Sequence, residues 1–202
     1  MGRESRCVAE FDGFRIEGRL LLETDELVFR AARRFAVPRA SIRSAVVRDG
    51  WLEIVHAAGN ARFEVGKGAE RWAHDILHPK SRIDKLDVKP TARAVVLGLD
   101  AEFAAEVRAR AAHVDARLGK GPYDLVFLQA DSPRDLERLA GLRARLQPAG
   151  TIWVITPKGD AAMKHEVIVD AARRAGLIDT KTARFSETHT SLKLVIPRAD
   201  RR

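Results

Sequence analysis

A lysine, carboxylates and an imidazole on one rim of a sheet can bind an anion or move a proton, and this sequence offers such a set. Lys158 follows the apolar run Ile152-Trp153-Val154-Ile155, and Asp131 follows Leu125-Val126-Phe127-Leu128. Glu187, Thr188 and His189 sit in a polar connection ahead of Leu192–Ile196. If the apolar runs are parallel strands, ligands are expected outside their carboxyl ends. Gly98, Asp131, Lys158, Glu187 and His189 then form a candidate ligand rim. The competing reading makes Lys158 a solvated lysine paired with Glu187, and His189 a turn residue. No residue is assigned a catalytic role.

A second set is basic. Arg30, Arg33, Arg34 and Arg39, with Arg43 beyond them, cluster in sequence and form a candidate anion or lipid patch. The competing reading is a solvated loop and edge-strand face. His74 and His78 are four apart on one helical pattern, a spacing that can hold a metal, but no third ligand lies near. His165 with Glu166 has the same standing, so no metal site is expected. The single cysteine, Cys7, can form no internal disulfide or cysteine cluster and reads as a strand residue. No Ser-His-Asp set, Walker glycine loop or paired cysteines appear.

The elements that must position these residues fall into two halves. In the first, short strands alternate with turn signals: Cys7–Phe11, Asp12-Gly13, Phe14–Leu22, Glu26–Arg30, Phe35–Val37, Ile42–Val47, Asp49-Gly50, Trp51–His56 and Ala61–Val65. The period then changes, and Gly68–Leu77 reads as a helix with Trp72 and Ile76 on its apolar face. The segment 79–90 is polar, with a proline at each end, and reads as a joint. The expected domains are 1–80 and 91–197.

In the second half, Ala94–Gly98 reads as a buried strand, Ala101–Arg110 as a helix and His113–Leu118 as a short strand. The best-marked unit is strand, capped helix, strand from Tyr123 to Lys158. Ser132 is placed to cap, Pro133 fits the first helical position and Asp135 completes a capping box. Leu136, Leu139, Leu142 and Leu146 recur at helical spacing. A helix over Ala161–Ala175, capped by Gly176, and strands over Ile178–Phe185 and Leu192–Ile196 finish the chain.

Composition bounds the function. The chain has 202 residues, 46% of them hydrophobic, enough for a packed core. No stretch reaches the roughly 18 apolar residues of a membrane span, and the N-terminus lacks a signal-peptide core. A cytoplasmic location is expected. The net charge of +8 comes from interspersed arginines, a pattern that gives no nucleic-acid signal.

The element order of the first half resembles a pleckstrin-homology or GRAM-like barrel closed by a helix. That resemblance implies a basic site between early strands for anionic lipid headgroups. The second half resembles a shortened class I methyltransferase fold, a Rossmann-like three-layer sheet with an antiparallel last strand. More narrowly it resembles a bacterial family of unknown function. The residues that carry this are Val96-Leu97-Gly98, Asp124-Leu125-Val126, Gly150-Thr151-Ile152-Trp153-Val154 with Pro157-Lys158, Ala175-Gly176-Leu177-Ile178-Asp179, and Glu187-Thr188 with Ser191-Leu192-Lys193. Thr156 and His189 depart from it where the family tends to carry tryptophan, and Gly159 where it often carries lysine.

The methyltransferase resemblance would imply adenosylmethionine (SAM), but the first turn reads against it. Gly98-Leu99-Asp100-Ala101-Glu102-Phe103 has one glycine where close backbone approach to a cofactor favours several, and two carboxylates crowd it. Asp115 is the candidate to hold ribose hydroxyls. Gln129-Ala130-Asp131-Ser132 is no amino-methylation motif. The expected fold class is therefore α/β plus mainly-β. The expected function is a non-catalytic interaction or ligand-sensing module with no cofactor, binding a protein partner or a small anionic ligand. The alternatives are a SAM-dependent methyltransferase with an atypical cofactor loop, and an anionic-lipid-binding module.

Overall fold

The computed structural model describes residues 3–11, 13–32 and 34–201. Asp12 of the first turn signal and Arg33 of the arginine cluster lie outside them. The chain is mixed α/β with two sheets, and it divides into units Met1–Lys80 and Ser81–Arg202.

The first unit holds β1 (Arg3–Phe11), β2 (Phe14–Leu22), β3 (Glu26–Arg30), β4 (Arg34–Pro38), β5 (Ile42–Arg48), β6 (Trp51–His56), β7 (Gly59–Phe63) and α1 (Ala69–Leu77). The strands form one antiparallel sheet ordered β4-β3-β2-β1-β7-β6-β5. Laid flat, β4 and β6 would stand roughly 24 Å apart at the usual strand spacing. Yet the Phe35 ring of β4 lies 5.6 Å from the His56 ring of β6, so the sheet is rolled. Phe11, Phe29, Phe35 and Phe63 meet inside. Trp72, Ala73 and Ile76 of α1 join that core, on the face the sequence marks as apolar. Cys7 is half-buried, and burial pushes its thiol up to about 11, so it stays a neutral strand residue.

The second unit holds α2 (Arg82–Lys85), β8 (Arg93–Leu97), α3 (Ala101–Arg110), β9 (His113–Asp115), β10 (Tyr123–Gln129), α4 (Leu139–Arg143), β11 (Leu146–Pro157), α5 (His165–Arg174), β12 (Ile178–Arg184) and β13 (His189–Val195). Its sheet is ordered β12-β13-β11-β10-β8-β9. β9, β8, β10 and β11 run parallel, β13 runs against β11, and β12 runs against β13. β12 therefore points the same way as β11.

Alternate residues of the buried strands face opposite layers. Val95, Val126, Leu128, Ile152 and Val154 pack with α4 and α5 residues. Ala94, Val96, Leu125, Phe127, Trp153 and Ile155 pack with α2 and α3 residues. Residues 81–90 of the expected joint, 79–90, are part of this packing. Ser81 and Asp84 cap α2 reciprocally; Ile83, Leu86 and Val88 are buried; and the buried Trp153 Nε1 donates to Leu86 O at 2.9 Å.

Four other expectations need correction. The helix after Ser132 is a 3-10 stretch, Pro133–Arg138, followed by the short α4. Leu146 begins β11, opposite Tyr123, although its spacing from Leu142 fits a helix. The Ala161–Ala175 helix is split at Lys164, whose ψ of 153° is extended. β9 stops at Asp115 and does not continue to Leu118.

Candidate functional site

The carboxyl ends of β8, β10 and β11 do lie together, and the β12–β13 hairpin closes beside them. Gly98 follows β8 in a left-handed conformation, φ +82°, which a side chain rarely adopts. A Cβ there would lie 3.2 Å from Gln129 Cβ. Asp100 turns to the next helix and accepts the Phe103 N–H at 2.7 Å, capping α3. Gln129 Nε2 donates to both Asp131 carboxylate oxygens, at 3.1 and 2.8 Å. Asp135 accepts the Ser132 N–H and hydroxyl, both at 2.9 Å, as the sequence suggests. Gly98, Gln129 and Asp131 thus form one group.

Lys158, Glu187 and His189 form another. Lys158 Nζ donates to Ser186 O at 2.7 Å and Glu187 O at 3.0 Å, and its backbone N–H donates to Thr188 O at 2.8 Å. The expected pairing with the Glu187 carboxylate is replaced by one with its carbonyl. That carboxylate instead meets Arg184. His189 stands opposite Pro157; its N–H donates to Ser186 Oγ at 3.0 Å and its ring meets Thr188 Oγ1 at 2.8 Å. Among the described residues no hydrogen bond or ion pair joins the two groups.

Asp115 lies elsewhere. It takes hydrogen bonds from the Tyr123 hydroxyl (2.8 Å), His113 Nε2 (2.8 Å) and Arg93 Nη2 (3.1 Å). These hold its carboxyl down at about 2, the Tyr123 hydroxyl foremost. Asp115 ends β9 opposite Val95, in the middle of β8, and its carboxylate is held by side chains of Arg93 and Tyr123, which open β8 and β10.

The arginine cluster is also rearranged. Arg39 Nη2 donates to Asp75 O and Ile76 O, at 2.5 and 2.9 Å, near the end of α1, so Arg39 is a structural clamp and leaves the expected patch. Arg30 and Arg34 stay exposed and stand directly opposite each other. Two residues missed in the sequence extend their row: Arg19 is opposite Arg30, and Arg6 is opposite Arg19. Glu4 pairs with Arg19 at 2.9 Å and Glu26 with Arg34 at 3.5 Å. Strand alternation hints at such a row, but only the register of three hairpin pairings reveals it. His74 and His78 stack at 4.5 Å, and no group of three metal-ligating residues occurs among the described residues. No helix of the described residues is long and apolar enough to cross a membrane.

A family described as a protein of unknown function (DUF3052) matches residues 124–198. No curated protein matches the chain. Among solved structures it is similar to a SAM-dependent methyltransferase from Aquifex aeolicus, at 13% identity and TM-score 0.43, over 59% of this chain and 94% of that one. It is similar to a ribosomal protein L11 methylase from Lactobacillus delbrueckii subsp. bulgaricus, at 13% identity and TM-score 0.41, over 57% and 74%. It is similar to the N-terminal PH domain of human ARAP2, at 15% identity and TM-score 0.32, over 38% and 76%.

Proposed function

We propose that this chain binds rather than catalyses. Its first unit is a PH/GRAM-like barrel. Its second is a degenerate methyltransferase-like scaffold that recognises a protein partner or a small anionic ligand. The observation that carries this reading is how the polar groups expected to meet a ligand or cofactor are engaged. Lys158 is held on two hairpin carbonyls, Asp100 caps a helix, and the Asp115 carboxylate is engaged by Tyr123 and Arg93. A nucleoside cofactor needs close backbone approach and an acid for its ribose. One glycine and a redirected Asp115 favour neither. Calorimetric titration of the full chain with adenosylmethionine tests this. No saturable heat is expected; saturable one-to-one binding would overturn the reading in favour of a methyltransferase with an atypical loop.

The row Arg6, Arg19, Arg30 and Arg34 favours a second reading, an anionic-lipid-binding surface. Like charges directly opposite destabilise a sheet, and an anionic surface relieves that repulsion. The side chains of Arg6 and Arg30 make no hydrogen bond or ion pair with a described residue, and with Arg19 they line a hollow of about 610 Å³. Glu17 and Glu64 in the same lining weaken the attraction. Sedimentation with phosphatidylserine vesicles should be lost in Arg6→Glu/Arg30→Glu. Sedimentation unchanged by that double variant disposes of the reading.

A further inference from the structure

We infer that the amino-terminal edge of the α/β sheet, opposite the Gly98 rim, carries a binding site for a small anion borne on an apolar body. The site is a hollow of about 560 Å³ between α4 and the loop that leads into β10. Small-molecule sites usually span about 300–1,000 Å³.

Its charge has one sign. Lys120, Arg138 and Arg145 line it, and no carboxylate does. Arg145 Nη1 donates to Gly119 O, which ties the loop to the segment after α4 and leaves the other guanidinium donors. Lys120 and Arg138 are exposed, and their side chains make no hydrogen bond or ion pair with a described residue. Asp135 feels the Arg138 charge, but its carboxylate is turned to the Ser132 N–H and hydroxyl. Three cations around one hollow repel each other, and an anion among them removes the repulsion. The last carbonyls of a helix oppose an anion with about half a charge at most, so the cations prevail.

Its surface is also partly apolar. Leu142 is buried beneath it, and Leu118 stays 37% exposed. Gly141 opens the space. It lies within α4, where glycine costs roughly 0.5–1 kcal/mol relative to alanine. It has no positive φ, and beyond its chain neighbours and its own helix backbone no atom lies within 4 Å of where its Cβ would stand. Neither backbone conformation nor packing calls for glycine there. What the missing side chain provides is room. A phosphate or carboxylate would meet Lys120 and Arg138, and an apolar body would cover Leu118 and Leu142.

The test is an amide NMR titration of the full chain with phenyl phosphate, with inorganic phosphate in parallel. Phenyl phosphate should move the amides of residues 118–120 and 141–145 saturably. Inorganic phosphate should bind more weakly. Arg138→Glu should weaken phenyl phosphate binding by about tenfold or more, as expected for loss of a charge-assisted hydrogen bond. Lys164→Glu, an equal charge change at an exposed position outside the lining, should leave it unchanged. Gly141→Phe should fill the hollow and abolish binding while the rest of the spectrum stays native. No saturable movement, or equal binding in wild type and Arg138→Glu, would overturn the site. Inorganic phosphate binding as tightly as phenyl phosphate would overturn its apolar half.

Discussion

Replacing Lys158 with alanine removes an ammonium group that donates to Ser186 O at 2.7 Å and Glu187 O at 3.0 Å. Both carbonyls belong to the connection between β12 and β13, and the Lys158 backbone N–H also reaches Thr188 O at 2.8 Å. Lys158 is exposed, so water replaces part of what is lost. Each bond then contributes near the low end of the usual net range, about 1 to 2 kcal/mol for the two together. That corresponds to a factor of about 5 to 30 in local opening. Native-state hydrogen exchange reads it directly. The amides of Phe185 and Ser186, which donate to His189 O, should exchange faster by that factor in Lys158→Ala. The Ala130 amide, which donates to Ile155 O inside the sheet, should keep its protection. If Lys158 were instead a free cation held for a ligand, protection in the hairpin would not change. Unchanged exchange at Phe185 and Ser186 would refute the structural role.

Three further predictions concern the supports of the two units. Trp153→Phe leaves the buried Leu86 carbonyl without its indole donor, at a cost of about 1–3 kcal/mol, measurable by urea unfolding followed by circular dichroism. Arg39→Ala frees the Asp75 and Ile76 carbonyls and should destabilise the first unit by about 2 kcal/mol, read as faster exchange of α1 amides. The Asp115 carboxyl is depressed from 3.8 to about 2. Its contribution to stability is therefore complete above the unfolded value and is lost as pH falls through about 2. Tyr123→Phe removes the main cause, so a carboxyl-carbon titration should place Asp115 higher, and acid unfolding should begin at higher pH. An unmoved Asp115 titration would contradict the hydrogen bond.

Much of the fold is legible in the chain because it rests on local signals. The short apolar runs at Ala94–Leu97, Leu125–Leu128 and Ile152–Ile155, bounded by turn residues, read as strands covered on both faces. Trp72, Ala73 and Ile76 mark α1, and Ser132 with Asp135 marks the turn after β10. Pairings between distant segments are not written locally. Leu146 keeps helical spacing from Leu142, yet Tyr123 N–H donates to Arg145 O and draws the chain into the sheet there. The polar segment 79–90 looks like a joint because Trp153, the partner of Leu86, lies far along the chain.

The candidate sites follow the same division. Lys158, Glu187 and His189 are adjacent because the hairpin is local. Arg39 is close to Arg34 in sequence but is drawn to the end of α1, while Arg6 and Arg19 join Arg30 through strand register. The hollow at the amino-terminal edge depends on a loop before β10 meeting the segment before β11, which no motif announces.

The most direct measurement is an amide spectrum of the full chain recorded during titration with adenosylmethionine. The Gly98, Leu99, Asp131 and Ser132 amides are expected to hold their positions at every concentration. Saturable movement of those four signals together would contradict the proposal that the second unit binds a partner or small anion and no nucleoside cofactor.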